Sequence, residues 1–146
     1  LSYIDIGRKE GAKVAFGGKR LHENSGGYFV EPTIFDGVTN QMRIAREEIF
    51  GPVLSVISFK DAEDGVKIAN DTSYGLASSL YTDNINTAHK VARALRAGTV
   101  SINCYSEGDM AVPFGGFKES GFGGRDKSLL AHDQYAEVKT IWIQLR

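Results

Sequence analysis

The single cysteine of the chain, Cys104, is the side chain with the most direct potential for covalent chemistry, because a thiolate is a strong nucleophile. It follows an apolar segment and opens a glycine-rich stretch. A reactive thiolate needs a nearby base or a positive field, and the neighbours Asn103, Tyr105 and Glu107 supply neither. The sequence therefore favours a buried, structural cysteine. A nucleophilic role for this thiol is the alternative.

The other side chains that commonly build sites have spacings that do not support one. The three histidines, His22, His89 and His132, lie far apart and show no metal-ligand spacing, so we expect surface histidines and no metal site. The glycine-rich run at 121–125 lacks the GxGxxG spacing and a following Walker lysine. Tight turns explain these glycines more simply than a phosphate site does.

Two adjacent carboxylates, Glu47 and Glu48, precede the run IFGP at 49–52. Adjacent acidic residues usually mark a solvated helix end, and the local pattern alone favours that interpretation. The alternative is a binding role, in which a carboxylate accepts hydrogen bonds from sugar hydroxyls and Phe50 forms a neighbouring apolar wall. Ligands in α/β folds bind near strand ends, and a strand is predicted directly after this run.

Alternating strand and helix patterns in the middle of the chain predict the fold that positions these residues. The pattern predicts a strand at 53–59, a helix from the cap Asp61 to about Asn70, a strand at 76–81, a helix from the cap Asp83 to Gly98, and a strand at 99–102. This order and spacing is typical of an open, mostly parallel sheet with flanking helices. We therefore predict an α/β fold.

The two ends of the chain are less regular. Residues 1–11 resemble the end of a helix that stops at Gly11, residues 13–16 a strand, and residues 28–30 an extended segment kept at a sheet edge by Pro32. The glycine-rich stretch 104–124 is too rich in phenylalanine for a linker, so we expect it to pack. A short helix is predicted at 128–135 and an apolar strand at 138–145, which a partner subunit would cover.

The composition restricts the class of protein. The 146 residues carry 17 basic and 18 acidic side chains, with a net charge of −1 and a pI of about 6.3, which argues against a nucleic-acid binder or a polybasic membrane surface. No apolar run approaches the roughly 20 residues of a membrane span. A single cysteine fits a reducing compartment, so we expect a cytoplasmic protein. The chain begins at Leu1 without a helix cap, and we expect a portion of a longer protein.

Four groups of residues, taken in order, closely resemble the C-terminal part of the aldehyde dehydrogenase superfamily. They are EEIFGP at 47–52, Asn70 with YGLA at 74–77, AGTV at 97–100 with Ile102 and Asn103, and PFGGFKESG at 113–121. Their order and spacing match the family over essentially the whole chain. The first and the last of these groups are highly specific for it.

The resemblance implies an enzyme that oxidises an aldehyde to the carboxylic acid with NAD or NADP. In this family a cysteine thiolate attacks the carbonyl, a thiohemiacetal becomes a thioester, and a glutamate activates the water that hydrolyses it. These two residues and the dinucleotide-binding domain lie upstream, so the resemblance implies no catalytic residue in this chain and no activity of the chain alone. It implies that Glu48 binds the nicotinamide ribose hydroxyls and that Phe50 packs beside that ribose.

The resemblance also implies a substrate tunnel, lined by Phe114 and the loop 104–112, with Cys104 beside it. The segments SEGDM at 106–110 and GFGGRDKS at 121–128 look most like bacterial γ-glutamyl-γ-aminobutyraldehyde and related aminoaldehyde dehydrogenases. Glu107 and Asp109 would place negative potential at the tunnel mouth, which suits a substrate with an ammonium group. The alternative is that both are solvated loop charges.

At the level of the whole chain, residues 1–136 are expected to be the later half of the catalytic domain. Residues 137–146 are expected to be a strand used for oligomerisation, in a full-length homo-oligomer that is a dimer or a tetramer. A hypothesis from a different class is a stand-alone binding or assembly module that keeps the fold without the chemistry.

Overall fold

The computed structural model describes residues 1–105, 108–123 and 126–145. The chain divides into two compact units, Leu1–Asp71 and Thr72–Arg146, and each is described by itself. Glu107, which the resemblance leads us to expect at a tunnel mouth, lies outside the described residues.

The first unit contains a three-stranded sheet, a two-stranded ribbon and three helices. Its elements are α1 (Ser2–Lys9), β1 (Lys13–Phe16), β2 (Arg20–Leu21), a 3-10 turn (Glu23–Ser25), β3 (Phe29–Val30), β4 (Thr33–Asp36), α2 (Arg43–Arg46), β5 (Val53–Ser55) and α3 (Ala62–Asn70). In the larger sheet β4 is central, antiparallel to β1 and parallel to β5. The strands β2 and β3 form the separate antiparallel ribbon.

A small apolar core holds this unit together. Phe35 on β4 is fully buried, and Ile4 of α1 and Ile44 of α2 pack in the same cluster. A Cβ at Gly7 would lie 2.9 Å from the Phe35 ring, so only glycine lets α1 approach β4 this closely. The core therefore fixes α1 and α2 against the same strand.

Most predicted elements of this unit are confirmed. The first helix has no side-chain cap at its start, Gly11 follows it with a φ of +94°, and the strand at 13–16 has the predicted bounds. The extended segment around Phe29 lies outside the main sheet, as expected. Asp61 caps α3, since its side chain accepts a hydrogen bond from the Asp64 N–H at 2.9 Å.

The second unit is built around a strand, helix and strand. Its elements are β6 (Ala77–Leu80), α4 (Ile85–Ala94), β7 (Thr99–Ile102) and two 3-10 segments (Lys118–Ser120 and Leu129–Tyr135). β6 and β7 are parallel and in register from Ala77 opposite Thr99 to Leu80 opposite Ile102. The predicted strand–helix–strand order is confirmed here. The helix predicted at 128–135 is a 3-10 segment.

The predicted cap Asp83 is wrong by one residue. The structure starts α4 at Ile85, and Asn84 is the capping residue, with its side chain accepting from the Thr87 N–H at 3.0 Å. An N-cap oxygen reaches the amide three residues further on, so the residue directly before the helix is the one that can satisfy it.

The predicted single, mostly parallel sheet is also corrected. The described strands form three sheets, with two parallel and two antiparallel pairings. The strand predicted at 53–59 ends at Ser55, because β4 ends at Asp36 and Gly37 turns the chain with a φ of +65°. The final predicted strand is not formed: among the described residues, 136–145 are exposed and have no strand partner.

Candidate functional site

The end of α2 turns the two adjacent carboxylates in different directions. Glu47 follows the helix with an extended backbone, φ −104° and ψ 145°. Successive side chains of extended backbone point to opposite sides. Glu47 is half-buried, whereas Glu48 is exposed. The expectation that both carboxylates are solvated at a helix end therefore holds for Glu48 and not for Glu47.

The Glu47 carboxylate accepts three hydrogen bonds. Arg43 donates from Nε to Oε1 at 2.7 Å and from Nη2 to Oε2 at 2.9 Å, and the Tyr3 hydroxyl donates to Oε2 at 2.8 Å. The Arg43 guanidinium also lies 5.8 Å from the centre of the Tyr3 ring. We call these three residues the Glu47 clamp. It joins α1 to the end of α2.

The clamp changes the acidity of its members. The hydrogen bonds from Arg43 and then from Tyr3 lower the pKa of Glu47 from 4.5 to about 2. The hydrogen bond to Glu47 raises the pKa of Tyr3 above its ordinary 10.0. Glu47 is therefore ionised, and Tyr3 keeps its proton, over the whole physiological range.

Phe50 lies three residues beyond the clamp in an unusual conformation. Its φ is +54°, in the left-handed region that bulky residues rarely adopt, and its side chain is 94% exposed. The chain is anchored directly afterwards, because the Pro52 carbonyl accepts from the Thr33 N–H at 2.8 Å. An apolar ring is thus held out in solvent at the entry to β5.

The chemistry of this segment fits the ribose of a dinucleotide. Glu48 offers an exposed carboxylate, which accepts hydrogen bonds from hydroxyl groups. Phe50 offers an exposed apolar ring two residues away. Ligand sites commonly combine a few polar groups that fix orientation with an apolar wall. Both sequence-predicted cofactor residues are therefore available for binding in the first unit.

The second unit places Cys104 at the surface, so the expected burial is wrong. β7 ends at Ile102, and Asn103 follows with a φ of +56°. The Asn103 side chain bridges the backbone of Thr82, with Nδ2 donating to its carbonyl at 2.9 Å and Oδ1 accepting from its N–H at 2.8 Å. This turn takes the chain out of the sheet before the cysteine.

Asp109 and Phe114 lie in the loop that follows β7. Asp109 is exposed, and its Oδ1 accepts from the Ala111 N–H at 2.8 Å. Phe114 is half-buried, with Lys127 Nζ 5.0 Å from the centre of its ring. The structure thus brings a cation next to the aromatic residue of the predicted tunnel.

Glycines allow this loop to pack against the strand–helix–strand. A Cβ at Gly98 would lie 1.7 Å from the Gly115 carbonyl oxygen, and one at Gly116 would lie 2.5 Å from the Ser120 side chain. Neither glycine has a positive φ. Tight turns alone therefore do not explain the glycine content, since close approach of two backbones requires these two residues.

Three residues of these surroundings were missed from the sequence: Tyr3, Arg43 and Lys127. The spacing of Arg43 and Glu47, four residues apart on a helix, was a readable signal for an ion pair. Tyr3 is 44 residues from Glu47 and Lys127 is 13 residues beyond Phe114, and no local pattern connects them. The predicted site residues fall in both units, Glu48 and Phe50 in the first and Cys104, Asp109 and Phe114 in the second.

The expectation of surface histidines is confirmed, since His22, His89 and His132 are all exposed. Over residues 1–105, 108–123 and 126–145, no group of three or more histidine, cysteine or acidic side chains is arranged to hold a metal ion. Within the same ranges, no helix has the length and apolarity needed to span a bilayer.

Comparison with known proteins gives a consistent result. The model of the aldehyde dehydrogenase family matches residues 1–141. An aminoacetaldehyde dehydrogenase from Pseudomonas aeruginosa is 56% identical over 142 residues, which are 97% of this chain and 28% of that protein. The chain therefore spans less than a third of the length of this curated relative.

Solved structures agree with the fold. The crystal structure of an indole-3-acetaldehyde dehydrogenase in complex with NAD+ superposes with a TM-score of 0.91 at 59% identity, over 99% of this chain and 29% of that one. The aldehyde dehydrogenase KauB from Pseudomonas aeruginosa superposes with a TM-score of 0.91 at 63% identity, over 99% and 29%. The predicted α/β class is thereby confirmed.

Proposed function

The chain belongs to the aldehyde dehydrogenase family, and from that premise we propose that it acts within an enzyme that oxidises a small aldehyde to its acid with NAD+. The observation that carries the proposal is the pairing of an exposed carboxylate, Glu48, with an exposed ring, Phe50, in strained backbone. In this proposal the described residues bind and orient, and none of them is the nucleophile. NADP+ is the alternative cofactor, and the NAD+ complex of a relative 59% identical favours NAD+.

Glu48 would accept hydrogen bonds from the hydroxyls of the nicotinamide ribose, and Phe50 would lie against that ribose. When bound, the nicotinamide takes the hydride that the aldehyde carbon loses. The two side chains hold one end of the cofactor so that its ring is not free to rotate away. This contribution is one of orientation, which can account for a large part of the rate of a transfer between two bound groups.

Substitution of Glu48 in the full-length enzyme tests the cofactor role. Glu48→Gln removes the charge and keeps the shape, and we expect KM for NAD+ to rise about tenfold while KM for the aldehyde changes little. Glu23→Gln is the matched control, because Glu23 is an exposed carboxylate of the same unit in the 3-10 turn. Unchanged cofactor kinetics in Glu48→Gln would contradict the proposal.

The loop after β7 is proposed to line the path of the aldehyde. It contributes Cys104, Glu107, Asp109 and Phe114, of which Cys104 and Asp109 are exposed and Phe114 is half-buried. A half-buried aromatic ring suits the wall of a tunnel for a small organic substrate. An exposed carboxylate near its mouth would attract a substrate that carries an ammonium group.

An aminoaldehyde is the proposed substrate, in line with the aminoacetaldehyde dehydrogenase at 56% identity. The relative named for indole-3-acetaldehyde favours an aromatic aldehyde as the second candidate. Lys127 beside Phe114 opposes the attraction of a cation, because it adds a positive charge to the same loop region. The ratio of kcat/KM for aminoacetaldehyde over indole-3-acetaldehyde separates the two.

Neutralising the acidic side chains of the loop tests whether they attract a substrate that carries an ammonium group. The pair Glu107→Gln and Asp109→Asn in the full-length enzyme should lower that ratio by about threefold at low salt and less at high salt. Asp133→Asn, an exposed acidic residue elsewhere in the second unit, is the control. If the ratio is the same in the double variant and in the control, the two carboxylates are solvated loop charges.

Residues 137–146 are proposed to mediate self-association of the full-length enzyme as a dimer or a tetramer, with residues 1–136 as part of its catalytic domain. The side chains of Val138, Trp142 and Leu145 are 100%, 90% and 88% exposed. Apolar surface of this kind usually marks an interface. A cytoplasmic location is proposed with it, in keeping with the single exposed thiol.

A further inference from the structure

The Glu47 clamp is a cluster of hydrogen-bonded charges that lies beside the proposed cofactor residues Glu48 and Phe50 without including them. We propose that Tyr3 and Arg43 are positioning residues for the cofactor: by holding Glu47 against α1 and α2, they orient Glu48 and Phe50 toward the ribose. This inference rests on the proposed function and names residues that act on the cofactor only through their neighbours.

The geometry of the clamp fixes one carboxylate from two helices. Arg43 contacts both oxygens of Glu47, at 2.7 and 2.9 Å, in a bidentate pair that defines the plane of the carboxylate. Tyr3 donates from α1 at 2.8 Å, and the Arg43 backbone N–H donates to Glu10 Oε2 at 2.9 Å. The carboxylate of Glu47 is therefore tied to α1 as well as to its own helix.

The consequence for Glu48 follows from the backbone. Glu47 is extended, so a Glu47 side chain held inward leaves Glu48 on the outward side. After Glu47, the partly buried side chain of Ile49 packs against the core, and the Pro52 carbonyl then accepts from the Thr33 N–H at 2.8 Å. Glu48 and Phe50 thus lie on either side of Ile49 in a short segment held at three points, of which the clamp is the first.

The conformation of Phe50 shows that this segment needs support. A φ of +54° is unfavourable for a bulky residue and persists only where the surroundings impose it. The Phe50 ring makes no buried packing that could impose it, since it is 94% exposed. The restraint comes through the backbone, from the clamp and the packed Ile49 on one side and from Pro52 on the other.

The clamp is too exposed to affect cofactor binding mainly through the folding stability of the unit. The side chains of Arg43 and Glu47 are 52% and 39% exposed. Ion pairs with this exposure contribute little to the free energy of unfolding, because solvent screens them. A loss of cofactor affinity without a loss of thermal stability is therefore the signature expected of positioning.

The test uses the full-length enzyme with Tyr3→Phe and Arg43→Met, each made in the wild type and in Glu48→Gln. In the wild type we expect the Kd for NAD+ to rise about threefold for Tyr3→Phe and about tenfold for Arg43→Met. KM for the aldehyde should stay the same and Tm should move by less than about 2 °C. In Glu48→Gln both effects should shrink, because the residue being positioned has lost its contact.

Two controls remove the same atoms elsewhere in the first unit. Tyr28→Phe deletes a hydroxyl from a residue that is 95% exposed. Arg46→Met deletes a guanidinium from the same helix, where Arg46 pairs with Asp71 at 3.3 Å. Neither control should change the Kd for NAD+. Arg43→Lys, which keeps the charge without the bidentate geometry, should weaken binding less than Arg43→Met.

Each result decides between the two proposals. If Tyr3→Phe and Arg43→Met leave the Kd unchanged while Glu48→Gln raises it, positioning is wrong and the cofactor role of Glu48 stands. If their effects are undiminished in Glu48→Gln, they act elsewhere and positioning is wrong. If Glu48→Gln does not weaken NAD+ binding, the proposed cofactor role fails, and the positioning proposal fails with it.

Discussion

Phe50 combines a strained backbone with an exposed ring, a combination that folding stability does not favour. Burial of the ring contributes almost nothing, as 94% of it is exposed, and a φ of +54° opposes folding. Strain of this kind is commonly found at binding sites. At the scale of single residues, this is the strongest indication of function in the first unit.

A pair of substitutions separates the ring from the strain. Phe50→Gly should raise the free energy of unfolding by about 1 kcal/mol relative to Phe50→Ala, because glycine adopts a positive φ without a Cβ clash. Both variants should weaken NAD+ binding in the full-length enzyme, since both lack the ring. Urea unfolding and NAD+ titration measure the two effects. Equal stability of the two variants would show that the backbone at this position is not strained.

The pH dependence of stability provides a prediction for Glu47. Its pKa falls from 4.5 to about 2 on folding, so its contribution to stability is complete above about pH 4.5 and is lost as the pH falls toward 2. The pKa of Tyr3 is raised above 10.0, so the Tyr3 contribution is complete below pH 10 and is lost as the pH rises through the raised value.

Wild type and Glu47→Gln should therefore differ most near neutral pH, and by a small amount, because solvent screens a pair whose side chains are 52% and 39% exposed. The difference in their free energies of unfolding should shrink as the pH is lowered from about 4.5 to 2, and urea unfolding at several pH values measures it. Glu23→Gln is the control for removing one exposed negative charge. A difference that stays constant from pH 7 to pH 3 would contradict the lowered pKa.

Residue-scale prediction from the sequence succeeded where the chemistry was local. The exposure of Glu48 and the three surface histidines follow from local pattern and composition. The exposure of Cys104 does not, because it depends on Asn103 bridging to Thr82 across 21 residues. Tyr3 was missed for the same reason, since its partner Glu47 is reached only through the packing of two helices.

At the scale of elements, the strand–helix–strand of the second unit is the support for the predicted tunnel loop. Gly98 directly precedes β7, and its N–H donates to the Gly75 carbonyl at 3.0 Å. Gly75 accepts from the Phe117 N–H at 2.8 Å as well. The loop that carries Phe114 is therefore attached by a backbone contact to Gly75, which precedes β6 and also binds the residue before β7.

Enlarging Gly98 should detach this loop. A Cβ would lie 1.7 Å from the Gly115 oxygen, which is backbone and cannot rotate away. We expect Gly98→Ala to lower the free energy of unfolding by about 3 kcal/mol and to raise KM for the aldehyde. Gly51→Ala is the control, because the nearest atom to its Cβ would be 3.9 Å away. Equal urea midpoints for the two variants would contradict the close approach.

The bounds of a strand could be predicted from the sequence where local residues determine them, and not where the length of the partner strand does. β7 and β1 have the predicted bounds, since apolar residues and turn glycines delimit them. β5 is shorter than predicted, because its partner β4 ends at Asp36 and local apolarity does not reveal that. The capping residue moved from Asp83 to Asn84 because adjacent Asp and Asn are equally suitable caps.

At the scale of the whole molecule, the predicted site residues are divided between two compact units. The predicted cofactor residues lie in the first unit and the predicted tunnel residues in the second. The match to the aminoacetaldehyde dehydrogenase includes 97% of this chain but only 28% of that relative. Family motifs predict which residues meet a cofactor or a substrate. They do not predict whether a segment finds a strand partner, and the predicted strand at 138–145 is not formed in the described part of the chain.

The exposed C-terminal segment leads to a prediction about assembly. Ile141, Trp142 and Ile143 are 72%, 90% and 74% exposed, and a strand of this apolarity is stable only when another strand covers its edge. If residues 137–146 mediate self-association, Ile141→Asp combined with Ile143→Asp should shift the full-length enzyme to smaller species in sedimentation velocity. Burial of Trp142 on assembly should also move its fluorescence to shorter wavelengths in the wild type, measured as the difference from Trp142→Phe.

The polar positions of the same segment supply the control. Lys139→Asp introduces an aspartate, as the isoleucine substitutions do, but at an exposed polar residue. It therefore removes no apolar side chain. It should leave the sedimentation of the enzyme unchanged, because association by apolar burial depends on the area removed from water and little on one rim charge. If the double isoleucine variant and Lys139→Asp sediment alike, as the wild-type species, the segment does not hold the subunits together. Cofactor binding through Glu48 and Phe50 would then be unaffected, since both residues lie in the other unit.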